Sequence, residues 1–265
     1  MLFEKFWEPA FWLSLWENAL FICELALVII VMLLLAYIAE KVIKKRLGDT
    51  EKILTTRKIA VIGVFAAMAG ILMAVEVPIF GIPDFYKFEV GDLPGLICGF
   101  AYGPVAGVMV EMCKILVKLL FRSTGTAFVG ELANFLIGCS LVLPATCIYW
   151  IKKSKKSAII GCITGAVCMM GVGSLLNGFY LLPTFVKLFF DGDLQTLINI
   201  CQAVNPKITN ITGVVIFASL PMNVLKSVAV SLIAILLYKP LSPVLKTLGT
   251  GKKKAASEKK NDAAE

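Results

Sequence analysis

Asn223 and Lys226 stand three residues apart in the run Pro221-Met-Asn-Val-Leu-Lys226, so on a helix they share a face. An amide both donates and accepts while an ammonium only donates, so the pair sets a donor/acceptor amide and a cation side by side. Pro221 can loosen the backbone beside them. Asp92, Asn134 and Asn177 are further polar groups set in apolar sequence, where such side chains are costly and mark a site or a helix contact. Glu111, Lys114 and Lys118 follow at i, i+3 and i+7 on one face, which fits an internal ion pair as well as a ligand contact. Chemistry that turns over a substrate is harder to find. The chain has no histidine, which removes the commonest general base, the usual zinc ligand and any Ser-His or Cys-His pair. Its eight cysteines (23, 98, 113, 139, 147, 162, 168, 201) form no Cys-x-x-Cys pair and read as small buried hydrophobes. No phosphate-binding loop is present, since Gly249-Thr-Gly-Lys-Lys lacks the spacing, so the chain cannot hydrolyse ATP by itself. These residues point to binding without catalysis and without a cofactor or metal.

The elements that hold them are membrane helices. At 58% hydrophobic, 17% charged and a mean hydropathy of +0.86, the 265 residues are too apolar for a soluble domain. Apolar stretches near 17–40, 57–77, 92–103, 104–121, 128–151, 157–187 and 213–238 predict seven spans. Residues 92–103 are short for a span, and Tyr102-Gly103-Pro104 fits a tight turn into the next helix. The first run reads as a retained anchor, and Trp7, Trp12 and Trp16 ahead of it fit an aromatic belt at the headgroups or, equally, an amphipathic surface segment over residues 1–16. Segments 41–58, 152–156 and 239–260 hold 18 of the 26 Lys and Arg, which predicts these loops and the C-terminus to be cytoplasmic and the N-terminus outside. With that orientation Glu76, Asp92, Glu111, Glu131, Asn134, Asn177, Asn223 and Lys226 all fall toward the outer side. A polar pocket open to the outside is expected there, roofed by loops 78–91 and 188–212.

Three stretches carry a resemblance. Phe88-Glu-Val-Gly-Asp-Leu-Pro-Gly-Leu-Ile-Cys-Gly-Phe-Ala-Tyr-Gly-Pro-Val-Ala-Gly107, Gly130-Glu-Leu-Ala-Asn-Phe-Leu-Ile-Gly138 and Pro221-Met-Asn-Val-Leu-Lys226 resemble the S components of energy-coupling factor (ECF) transporters, above all the riboflavin-specific kind. The resemblance covers roughly residues 52–240. It implies an all-α integral membrane fold, a six-helix S-component core to which the helix at 17–40 is additional. The domain organisation expected is an N-terminal segment (1–50), a substrate-binding membrane domain (51–240) and a disordered Lys-rich tail (241–265). It also implies capture of riboflavin from outside, with a transmembrane coupling subunit and two ATPases as partners in the bilayer. Nucleic acid is not among the partners expected.

Carried over residue by residue, the resemblance assigns substrate contacts to Asp92, Asn134, Asn177, Asn223 and Lys226. Phe85, Tyr86, Phe88 and Phe179 are candidates to pack on the flavin ring. Ala60, Gly63, Ala66, Ala67 and Gly70 form small-x-x-x-small pairs in the helix at 57–77, which the family uses to meet its coupling subunit and which internal packing also explains. Rival readings are an S component for another vitamin (thiamine, biotin, folate or similar) and an integral membrane enzyme. For the enzyme the sequence offers no metal-binding carboxylate cluster and no nucleophile-base pair.

Overall fold

The computed structural model describes residues 19–121, 124 and 126–237. Trp7, Trp12, Trp16, Arg122 and the Lys-rich tail lie outside the described residues. Helix α1 (Ala19–Leu47) continues past the expected end at residue 40 because Lys44, Lys45 and Arg46 suit the negative end of a helix dipole. Lys44 then turns the chain, donating to Asp49 Oδ2 at 2.8 Å and to the Glu51 carbonyl at 2.9 Å. Helix α2 (Thr56–Ala74) starts at Thr55, whose hydroxyl accepts from the Lys58 N–H. A two-residue ladder, β1 (Val77–Pro78) with β2 (Lys87–Phe88), ties the 78–91 loop into a hairpin.

Helix α3 (Asp92–Tyr102) has only 11 residues, about 16 Å of rise, as its short apolar run predicts. It turns at Gly103 into α4 (Pro104–Phe121). Helices α5 (Val129–Ile151), α6 (Lys155–Phe189), α7 (Leu194–Val204) and α8 (Ile211–Leu237) complete the described residues. Within α6 and α8 the hydrogen bonding widens to single π turns at Asn177–Leu181 and Val215–Ser219. Among the described residues α1, α2, α5, α6 and α8 are long and apolar enough to cross a membrane. Helix α4 has the length but carries Glu111, Lys114 and Lys118, and the seven expected spans are thus five long helices plus the α3–α4 pair.

Segment 188–212, expected as a long loop, contains α7. Asp193 caps it, and Leu197, Ile198 and Cys201 bury one face at helical spacing. The main core joins α3, α5 and α6 through Leu96, Phe100, Leu141, Tyr149, Trp150 and Met169, with the Trp150 indole donating to the Gly99 carbonyl at 3.0 Å. Helix α1 packs on α4 and α5, where Met32 and Ala36 meet Val105, Val108, Phe135 and Cys139.

The small residues of α2 divide between two faces. Ala60, Gly63 and Ala67 are exposed, whereas Ala66 and Gly70 are buried in the bundle. A methyl group on Gly70 would overlap Val117 of α4, so Ala66 and Gly70 serve close helix packing and are not accessible to a partner.

Candidate functional site

A cavity of about 430 Å³ opens at the end of the bundle opposite the basic 41–58 and 152–156 loops. Its wall is built by the end of α2, the 78–91 hairpin, the first turns of α5, the π turn of α6 and the middle of α8. Of the expected substrate contacts, Asn134, Asn177, Asn223 and Lys226 line it. Asp92 does not. It lies fully buried beneath the floor, where Lys226 reaches its Oδ2 at 2.9 Å and Lys114 donates to its Oδ1.

Lys226 is held on two sides, since its ammonium also pairs with Glu89, a cavity-lining carboxylate that in turn accepts from the Gly91 N–H. Beneath the floor Lys114 pairs with Glu111 as well as Asp92, so the i, i+3 spacing of Glu111 and Lys114 forms the internal ion pair. Three carboxylates therefore surround two ammonium groups, with Asp92, Glu111 and Lys114 closed to solvent and Glu89 and Lys226 at the cavity wall. Each charge is stabilised only while its partner is present.

The two asparagines of α6 and α8 meet through a glycine. Asn177 Nδ2 donates to the Gly173 carbonyl at 2.8 Å, while the Asn223 amide lies so close to Gly173 that any side chain there would collide with it. Tyr86 donates to Asn177 Oδ1 at 2.6 Å. Burial pushes the Tyr86 phenol above its usual pKa, which keeps it a donor. Asn177 is left with one N–H and one acceptor lone pair for a ligand. At the other end of the cavity Glu131 takes Thr124 and Thr126 hydroxyls at 3.0 Å each and Lys118 at 3.5 Å, and Asn134 Nδ2 donates to the Gly130 carbonyl.

Of the four aromatic candidates, Phe85 and Tyr86 line the cavity, their ring centroids 4.7 Å apart. Phe88 is absent from the lining, because Lys87 and Glu89 on either side of it face the cavity and alternate residues of a strand point to opposite faces. Phe179 is 82% exposed and faces outward, because Asn177 and Leu181 occupy the inner side of the π turn. Phe185 lines the cavity in its place. Segment 188–212 supplies no lining residue either; Leu197, Cys201 and Ile208 pack on Leu182 and Val186 and brace the hairpin through Ile82 and Tyr86.

The family model described as the ECF transporter substrate-specific component matches residues 57–238. The chain belongs to the ECF substrate-specific (S) components. Among relatives, the riboflavin transporter RibU of Staphylococcus aureus (strain TCH60) is 35% identical over 192 residues, covering 72% of this chain and 94% of the relative. The riboflavin transporter FmnP of Bacillus subtilis (strain 168) is 25% identical over 188 residues, covering 71% and 93%. A solved S component of a bacterial ECF transporter superposes with a TM-score of 0.55 at 33% identity, covering 72% of this chain and 98% of that one. Membership in a family of transporters also removes the enzyme reading.

In this S component the residues that sequence reasoning left out of the site have traceable signals. Phe185 follows Asn177 and Leu181 at i+8 and i+4, a spacing that puts all three on one helical face. Glu89 sits inside the Phe88-to-Gly107 motif, three residues before Asp92. Glu131 opens the Glu-Leu-Ala-Asn run, one turn before Asn134. What no spacing rule supplied is the pairing of Glu89 with Lys226 across 137 positions.

Proposed function

We propose that this S component captures riboflavin from outside the cell for import by an ATP-driven assembly. The observation that carries the reading is the meeting of Asn177, Asn223, Tyr86 and Lys226 in one wall of a cavity of about 430 Å³. Relatives named as riboflavin transporters, aligned over 94% and 93% of their own lengths, support it.

Riboflavin gives those side chains work. Its isoalloxazine ring is flat and largely apolar, with one uracil-like edge on which an N–H lies between two carbonyls. Asn177 and Asn223 complement that edge as donor and acceptor, and Lys226 donates to a ring carbonyl. Phe85 and Phe185 pack against the ring. The ribityl hydroxyls take the end of the cavity where Glu131, Thr126 and Asn134 lie, and Asp92 acts through Lys226 by fixing its ammonium. The apolar side chains that pack on the ring are Phe85, Leu181, Phe185 and Met222, and the polar groups around them fix the ligand's orientation.

The positive-inside distribution puts the basic loops and the C-terminus in the cytoplasm and the cavity on the outer side. Because the chain has no nucleotide-binding loop, energy comes from partners, a transmembrane coupling subunit with two ATPases. The exposed Ala60, Gly63 and Ala67 of α2 offer that subunit a face on which a helix can approach closely.

The test is a visible absorption spectrum of detergent-purified protein, followed by quenching of riboflavin fluorescence on titration into ligand-free protein. A yellow preparation with saturable one-to-one quenching is expected. A colourless protein without quenching overturns the flavin assignment and turns the search to other vitamins.

A further inference from the structure

Helix α1 lies outside the residues that match the family, yet it is tied to the site. Along its apolar length before the basic end it carries two carboxylates, Glu24 and Glu40, and a lipid-facing anchor has no use for either. Both contact the rest of the bundle. Glu40 is fully buried and accepts from the Val105 N–H at 3.0 Å, capping the first turn of α4. Its carboxylate sits over Gly103, whose φ of +118° and lack of a side chain leave the space; a Cβ there would stand 2.5–2.7 Å from the carboxylate atoms. Glu24, about 24 Å away along the helix, accepts from the Tyr180 hydroxyl.

Tyr180 belongs to the Asn177–Leu181 π turn. That turn is therefore gripped from two sides, by Tyr86 on Asn177 within the cavity and by Glu24 on Tyr180 behind it. The Tyr180 ring also packs in a cluster with Phe21 and Leu25 of α1, with Phe128 just ahead of α5 and with Leu132 of α5, next to the Gly130–Asn134 turn that forms the facing wall. A π turn holds one residue more than an α turn, and losing it would rotate the preceding residues by about 100°, carrying Asn177 off the cavity wall.

We propose that α1 is a positioning element of the binding site, and that the Glu24–Tyr180 hydrogen bond holds the π turn in the register that presents Asn177 to the ligand. The ligand named in the test rests on the riboflavin reading above. Glu24 and Tyr180 are positioning residues, since neither lines the cavity.

The experiment compares Tyr180→Phe, Glu24→Leu, their double variant and Glu24→Gln in the full chain. Three readouts are taken: riboflavin affinity, the band shape of bound flavin, and amide hydrogen exchange across 174–182 in ligand-free protein. Each single variant is expected to weaken affinity by about threefold to tenfold, with altered band shape and faster exchange in the turn. The double variant should lose no more than the worse single, because both remove one bond. Glu24→Gln, whose amide oxygen still accepts from the tyrosine, should restore all three readouts. Wild-type affinity and exchange in both single variants overturns the proposal. So does a double loss equal to the product of the singles, or a lowered melting temperature with affinity and band shape unchanged. If the wild type binds no riboflavin, the ligand assignment fails by itself, and the exchange comparison still decides whether α1 holds the turn.

Discussion

Replacing Lys226 with methionine separates its proposed role in binding from its place in the floor. Lys226 is 5% exposed and stands between Glu89 and Asp92, at 6% and 0%. Methionine keeps the length and packing of the stem but leaves Glu89 without a counter-charge, and Asp92 with Lys114 alone. Breaking a buried pair from one side costs about 3–5 kcal/mol, because the remaining charge stays out of water. At about 2–4 °C per kcal/mol for a chain of this size, ligand-free Lys226→Met should melt roughly 6–20 °C below wild type. Glu89→Gln in the same chain removes the stranded charge, and Asp92 keeps Lys114, so the double variant should recover at least half of the loss. Both variants lack the ammonium and should bind riboflavin more weakly. The assay is thermal unfolding in detergent without flavin, since bound ligand would add its own stabilisation. A single variant melting within about 2 °C of wild type would show that Lys226 is not holding buried carboxylates. A double variant no more stable than the single would show that Glu89 is not the group left uncompensated.

Tyr86→Phe removes the donor to Asn177 while keeping the ring, and should weaken riboflavin binding by about threefold to tenfold in a fluorescence titration. Phe185→Ala should weaken it by roughly tenfold or more, whereas Phe179→Ala should leave it within about twofold, because Phe185 lines the cavity and Phe179 faces outward. Gly63→Leu and Ala67→Leu should preserve flavin binding but reduce co-purification with the coupling subunit, while Gly70→Leu should lower the melting temperature by colliding with Val117. Gly103→Ala should also lower it, since the φ of +118° disfavours a side chain and Glu40 fills the space.

Most of the architecture was legible because a membrane helix has to write itself as a long apolar run. The Tyr102-Gly103-Pro104 turn and the short α3 were equally plain, since proline and glycine restrict the backbone locally. Helix α7 was missed as an element although Asp193, Leu197, Ile198 and Cys201 carry a cap and a buried face. An expectation of loop between two spans overrode its helical spacing. The asparagines and Lys226 were legible as polar exceptions in apolar sequence, which is the strongest signal a membrane chain offers. Their environment was not. Whether Asp92 faces ligand or lysine depends on the packing of α3 between α4 and α8, and that is decided by contacts between residues 22 to more than 100 positions apart. Phe179 was misplaced for a related reason, because aromatic character says nothing about the side of a helix on which a residue falls.

The distribution of packing below the cavity bears on how a vitamin could pass. Beneath Lys226 lie Asp92, Lys114 and Glu111, paired and closed to solvent, and beneath them the core of Leu96, Phe100, Leu141, Tyr149 and Trp150 continues toward the basic end. A route straight through this chain would have to separate the buried ion pairs, at several kcal/mol each, and then open a close-packed core along the whole of α3. Neither cost is repaid by a ligand in the cavity, which lies above both. The opening that the cavity does have is its mouth, and the hairpin at 78–91 contributes Phe85 and Tyr86 to the cavity wall. Moving the loaded bundle as a body, which the resemblance to ECF transporters implies, would leave those pairs and that core intact. Such a movement needs an outer surface that partners can grip. The exposed Ala60, Gly63 and Ala67 offer one on α2, and α1 leaves that face uncovered while bracing the site from α4 and α5.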